Sequence, residues 1–261
     1  MNLDLSGKRA LVCGSTQGIG KAAAEELALL GADITLIARN NDQLLKVLSE
    51  LPNSGNQNHD HIAADFQEPE ILKDKINLYL DTNPAQILIN NTGGPPGGPI
   101  IDADYDDFLK AFQAHIHCSH ILVKSLLPYM KEASFGRIVN IISTSVKIPI
   151  PGLGVSNTTR GAMANWSKTL SIELAPFGIT VNNVLPGFTK TGRLDSIIQT
   201  RADKQGVTFD KVEQSMMSSV PAGRFGTANE VASIIAFLST PAAAYISGTS
   251  IPVDGARTGA L

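Results

Sequence analysis

Between Arg9 and Ala38 the sequence reads RALVC, then GSTQGIG, then KAAAEELALL and, just past Gly31, DITLIA. A short apolar run, a glycine-rich turn, a stretch of strong helix formers and a β-branched run make one strand–loop–helix–strand unit. Gly31 stops the helix. Further apolar runs at 61–64, 86–90, 137–142, 179–184 and 249–253, with helix-like segments between them, bring the strands to seven. Strands that alternate with helices and are apolar on both faces belong to a parallel sheet covered on each side. The expected fold is α/β: a doubly wound, seven-stranded parallel sheet with helices on both faces, in three α/β/α layers. Connections are short except near residue 55, at 91–99, at 143–155 and at 187–225. No internal repeat or linker divides the chain, so one domain over residues 1–261 is expected.

Composition agrees and narrows the function classes. The chain is 43% hydrophobic and 17% charged, which supplies one sizeable core and excludes a disordered tail protein. Lys plus Arg number 21 and Asp plus Glu 24, with no basic cluster, so nucleic acid is not an expected partner. No apolar run is long enough for a membrane span. Cys13 and Cys118 lie far apart and no leader segment is evident, which fits a reducing, cytoplasmic setting. Two cysteines exclude a four-cysteine zinc site, and the histidines show no ligand spacing, so no metal is expected.

Gly14, Gly18 and Gly20 stand between the first strand and the first helix. There, bare backbone lets N–H groups approach a pyrophosphate at the positive helix end. The flanking strand and helix turn a common glycine spacing into a nucleotide site. The second strand ends at Arg39, with no acid to bond a ribose 2′-hydroxyl and a guanidinium suited to a 2′-phosphate. NADP(H) is therefore favoured and NAD(H) remains possible; the alternative for Arg39 is a solvated arginine at a helix start. Asp65 is expected to bond the adenine, to cap a helix in a box with Glu68, or both. The Pro/Gly-rich loop at 91–99 follows the strand QILIN, at the carboxyl end where α/β sheets bind ligands.

With these residues in place, the sequence resembles the short-chain dehydrogenase/reductase family, especially its 3-oxoacyl-(acyl-carrier-protein) reductase-like members. The matching pieces are CGSTQGIG at 13–20, Asp65, ILINNTGG at 87–94, GRIVNIIS at 136–143, LAPFGITVNNVLPGFTKT at 174–191, PAGRFGTANEVA at 221–232 and ISGTSIPVDG at 246–255. The resemblance implies a Rossmann-like fold that binds NAD(P)(H) and exchanges hydride with a carbonyl or alcohol. It implies cofactor contacts at Gly14, Ser15, Gly18, Ile19 and Gly20 for the pyrophosphate, and at Asp65 for the adenine. Asn90 and Gly93 then follow the ribose side, and Pro186, Gly187, Thr189 and Thr191 the nicotinamide. It further implies a homo-oligomer, tetramer or dimer, paired through the helices at 105–131 and 157–175, and a substrate lid over 192–225 containing Met216 and Met217.

The catalytic positions depart from the family, which uses Asn, Ser, Tyr and Lys. Ser143 fills the serine position, but Ser156 stands where Tyr is expected, Arg160 where Lys is expected and His115 at the asparagine; Cys13 replaces a usual Thr. A serine hydroxyl has a far higher pKa than a phenol and needs an activating partner. Arg160 can hold the ribose or stabilise an alkoxide, but keeps its proton. His115 is expected either to titrate near neutral pH and hold a proton-donating water, or to be, like His117, a helix-surface or interface histidine. Two functions follow: an atypical NAD(P)(H)-dependent oxidoreductase acting on a carbonyl or alcohol such as a 3-oxoacyl thioester, or a catalytically impaired nucleotide-binding sensor or scaffold.

Overall fold

The computed structural model describes residues 1–260. Seven strands, β1 (Arg9–Cys13), β2 (Asp33–Ala38), β3 (Asp60–Ala63), β4 (Ile87–Asn90), β5 (Gly136–Ile141), β6 (Ile179–Pro186) and β7 (Ser250–Val253), form one sheet. Their order is β3-β2-β1-β4-β5-β6-β7, with every neighbouring pair parallel. The winding direction reverses between β1 and β4, which opens a crevice beyond their carboxyl ends.

Alternate residues along each strand serve opposite cores. Ala10, Val12, Ile87 and Ile89 pack with Leu27 of α1 (Gly18–Leu29), Leu44 of α2 (Asn41–Glu50) and Ile235 of α9 (Ala228–Leu238). Leu11, Cys13 and Leu88 pack on the other side with Leu72 and Ile76 of α3 (Pro69–Leu80) and Leu122 and Leu126 of α5 (Cys118–Glu132). Burial on both faces is why these strands read as continuous apolar runs. The Asp65–Glu68 capping box does not form. Pro69, fixed for a first helical position, starts α3 after Glu68, and the Asp65 carboxylate closes an Asx turn on the Gln67 N–H at 2.9 Å.

A polar ladder crosses the otherwise apolar sheet. Asn90, Asn140, Asn183 and Ser250 are register neighbours on β4 to β7. The Asn90 amide donates to Asn140 at 2.8 Å, and Asn140 donates to Asn183 at 3.2 Å and to Ser167 of α6 (Gly154–Leu174) at 2.8 Å. Buried amides are costly unless paired, so this ladder fixes strand register and holds α6 on the sheet. α4 (Tyr105–Phe112) runs into α5 through a π-helical turn, Gln113–His117. The connection at 187–225 carries α7 (Gly192–Gln205) and α8 (Phe209–Ser218), packed on a small core of their own around Leu194, Ile198, Val212, Met216 and Phe225. Met216 is part of that core.

Candidate active site

The loops after β1, β4, β5 and β6 meet at the carboxyl edge of the sheet. In the first, Gly14 and Gly18 have φ of 59° and 56°. A Cβ on Gly20 would lie 2.2 Å from the Gly14 carbonyl oxygen, and one on Gly14 would lie 2.7 Å from that of Asn91. Only bare backbone fits. The first turn of α1 has no acidic residue and no side-chain cap from Gln17, so its N–H groups remain available to an anion. These features fit the pyrophosphate of a dinucleotide. Ser15 is fully buried, its hydroxyl directed at the Ile37 carbonyl, and Ile19 packs against the core.

Arg39 emerges exposed one residue past β2, with no ion-pair partner among the described residues. Asn40, not Arg39, caps α2 by accepting from Gln43 N–H at 3.0 Å. Arg39 is therefore left free to meet an anion at the end of β2. Asp65 uses one oxygen in its turn. The Asn90 amide nitrogen is committed to the sheet ladder while its Oδ1 is buried without a partner, and Gly93 has no atom within 4 Å of where a Cβ would stand. Pro186 ends β6, Gly187 packs so tightly on Asp254 that a Cβ would lie 2.6 Å from that residue, and Thr189 is buried. Thr191 precedes α7 and abuts Gly18, joining the fourth loop to the first.

Two of the four candidate catalytic residues, His115 and Arg160, meet the loop after β4 at Thr92. Ser143 accepts the Ser145 N–H at 3.1 Å, which leaves its own O–H to be donated elsewhere. Ser156 and Arg160 lie one turn apart on the same face of α6. Arg160 is buried, donating through Nη1 to the Ile141 carbonyl at 2.9 Å and through Nη2 to that of Thr92 at 3.4 Å. Burial, helped by Arg193, pushes its guanidinium down to about 10, so it stays charged at neutral pH. Both guanidiniums flank Gly94, and no carboxylate pairs with either among the described residues.

His115 departs from both expectations. It sits in the π-helical turn, 3% exposed, with Nδ1 hydrogen-bonded to the Thr92 hydroxyl and Nε2 buried without a partner. Burial and the Arg160 charge push its pKa down to about 2, so the ring is neutral and does not titrate near pH 7. It is not a surface histidine either, whereas His117 is exposed. The Cys13 and Cys118 thiols are buried and pushed up to about 12 by desolvation, which leaves them protonated and inert.

Three residues escaped the sequence reading. Asn91 donates to the Gly14 carbonyl at 3.2 Å and so ties the loop after β4 to the glycine turn. Thr92 links His115 to Arg160, and Arg193 donates to the Pro95 carbonyl at 3.2 Å. Asn91 and Thr92 lay within a motif already singled out. Arg193 had no sequence signal beyond its place at the start of the 192–225 segment.

A glycine cradle at the switch point, a free cation past β2 and a cationic centre with a serine hydroxyl define a dinucleotide-binding protein of the oxidoreductase type. A family model described as enoyl-(acyl carrier protein) reductase matches residues 14–258. The NADPH-dependent reductase BacG of Bacillus subtilis is 31% identical over 262 residues, spanning 96% of this chain and 98% of that protein. The 3-oxoacyl-(acyl-carrier-protein) reductase FabG of Haemophilus influenzae is 33% identical over 251 residues, spanning 96% and 98%. The solved structure of L-sorbose reductase from Gluconobacter frateurii, complexed with NADPH and L-sorbose, superposes with a TM-score of 0.93 at 28% identity over 100% of both chains. The chain belongs to this family, the short-chain dehydrogenase/reductases, in their 3-oxoacyl-(acyl-carrier-protein) reductase-like branch.

Proposed function

We propose that the protein is an NADPH-dependent reductase of a small carbonyl compound, working with Ser143, Ser156 and Arg160 in place of the family's Ser, Tyr and Lys. The observation that carries this reading is the Ser143 hydroxyl, which accepts from the Ser145 N–H and keeps its proton for a substrate oxygen, two residues past Ile141, whose carbonyl the buried Arg160 holds. Arg39 and the NADPH-dependent relatives support the phosphorylated cofactor over NADH. When bound, the reduced nicotinamide supplies a hydride to the carbonyl carbon. The glycine turn and the α1 N-terminus hold the pyrophosphate, Asp65 the adenine and Arg39 the 2′-phosphate. Arg160 takes over the ribose contact of the family's lysine.

Charge that develops on the substrate oxygen meets the Ser143 O–H and the Arg160 guanidinium, which are fixed before reaction and need no reorganisation. Neither His115, at about 2, nor Arg160, at about 10, exchanges a proton readily near neutrality. The proton therefore comes from water. The α7–α8 unit over 192–225 serves as the substrate lid of the single domain. Exposed Tyr105, Leu109 and Phe112, on one stripe of α4, form part of a homo-oligomer contact.

The test is titration of the purified protein with NADPH and NADH, followed by a panel of ketones and 3-oxoacyl thioesters with nicotinamide absorbance followed in time. NADPH binding with oxidation by at least one carbonyl is expected. A second reading, a nucleotide-binding sensor without turnover, draws on one observation: neither His115 nor Arg160 titrates near neutral pH. Tight NADPH binding with no oxidation across the panel would select it.

A further inference from the structure

We propose that the substrate bears a carboxylate at the end of an apolar body and that Arg257 selects it, an inference that rests on the reductase reading above. Thr144, directly after Ser143, lines a cleft of about 280 Å³ together with Ile148, Pro149, Ile150, Pro151, Ser219, Arg257 and Thr258. The volume lies at the low end for small-molecule sites, which suits a short chain. The run from Ile148 to Pro151 offers no polar side chain, and its two prolines stiffen it, so it makes an apolar wall of the cleft that Thr144 also lines.

Arg257 is the one charge in that lining. Its guanidinium lies 4.1 Å from the centre of the Phe188 ring, and its Nε is buried without a hydrogen-bond partner. The acid nearest in sequence is already used: the Asp254 carboxylate accepts the Ala256 N–H at 3.1 Å and the Thr258 N–H at 2.7 Å. No carboxylate pairs with Arg257 among the described residues. The guanidinium lines the cleft without an ion-pair partner among the described residues, and a carboxylate matches its planar fork. One cation balances one negative charge, which favours a carboxylate over a phosphate dianion. The substrate then runs from an oxygen at Ser143, along the apolar wall, to an anionic group at Arg257.

The assignment is tested by calorimetric titration of NADP⁺-loaded protein, which cannot reduce the ketone, with 5-oxohexanoate and with its methyl ester, in the wild type, Arg257→Gln and Arg257→Lys. The acid is expected to bind the wild type at least about tenfold more tightly than the ester, the preference expected of a charge-assisted hydrogen bond. Arg257→Gln should remove the preference and Arg257→Lys should restore part of it. Absence of acid binding, equal binding of acid and ester, or a preference that survives in Arg257→Gln overturns the assignment. So does tighter binding of n-hexyl phosphate than of the acid, or a loss of NADPH affinity in Arg257→Gln as large as the loss of acid affinity. A wild type that binds no NADPH defeats the reductase reading instead, and the acid–ester comparison on nucleotide-free protein still decides the role of Arg257.

Discussion

His115 and Thr92 are joined by a hydrogen bond between the imidazole Nδ1 and the threonine hydroxyl, which ties the π-helical turn before α5 to the loop after β4. The same Thr92 accepts from Arg160 through its carbonyl. The π-helical turn, the loop after β4 and α6 are thus braced through one threonine. The histidine at this position braces the site and keeps its ring neutral.

That neutrality has a thermodynamic signature. With a folded pKa of about 2 against an ordinary value of about 6.5, the unfolded chain takes up a proton that the folded chain refuses once the pH falls below the unfolded value. The destabilising contribution is absent above about pH 7 and grows as pH falls, by up to about 1.4 kcal/mol per pH unit. His115→Asn should flatten this slope. Urea midpoints at neutral and mildly acidic pH check it, and equal slopes in the two proteins would mean that the folded imidazole does protonate.

Ser143→Ala should lower kcat by roughly 10²-fold or more, as loss of one preorganised donor to a developing oxyanion does. KM should change little and NADPH affinity not at all. Steady-state kinetics on the best carbonyl from the panel separates the two constants. A rise in KM at unchanged kcat would assign Ser143 to ground-state binding.

Arg39→Ala should weaken NADPH by about tenfold or more, the loss of a charge-assisted contact, while NADH stays within about twofold. Fluorescence titration of both nucleotides measures it. Equal losses would show that Arg39 does not meet the 2′-phosphate.

Gly20→Ala drives a Cβ against the Gly14 carbonyl, where only 2.2 Å is available, and backbone cannot yield as a side chain would. The glycine turn must open, and NADPH affinity should fall by more than about tenfold with a lower Tm. Asn91→Ala removes one hydrogen bond, worth about 1 kcal/mol, and should weaken NADPH only severalfold. Unchanged NADPH binding in Gly20→Ala would mean that the turn does not cradle the nucleotide.

The sheet was legible because its signals are local. Each strand carries its own apolar run, so all seven are found within a residue or two of their predicted bounds, except that β6 extends to Pro186. The long connection at 187–225 was harder, because α7 and α8 pack mainly on each other and leave a weak pattern. At α3 the capping signal misled, since Pro69 outweighs the Asp65–Glu68 spacing in setting the helix start.

The sequence by itself determined the doubly wound order of elements, the glycine turn and the arginine after β2. All of these are matters of residue type and local spacing. Tertiary structure alone decided that Thr92 joins His115 to Arg160, that Asn91 holds the glycine turn, that Arg193 approaches Arg160, and that Arg257 shares a cleft with Thr144 and the apolar run 148–151. It also decided that the histidine is neutral. The pKa of a side chain depends on which distant segments bury it and which charges they bring, and those neighbours are set by packing of the whole sheet rather than by the residues adjacent in the chain.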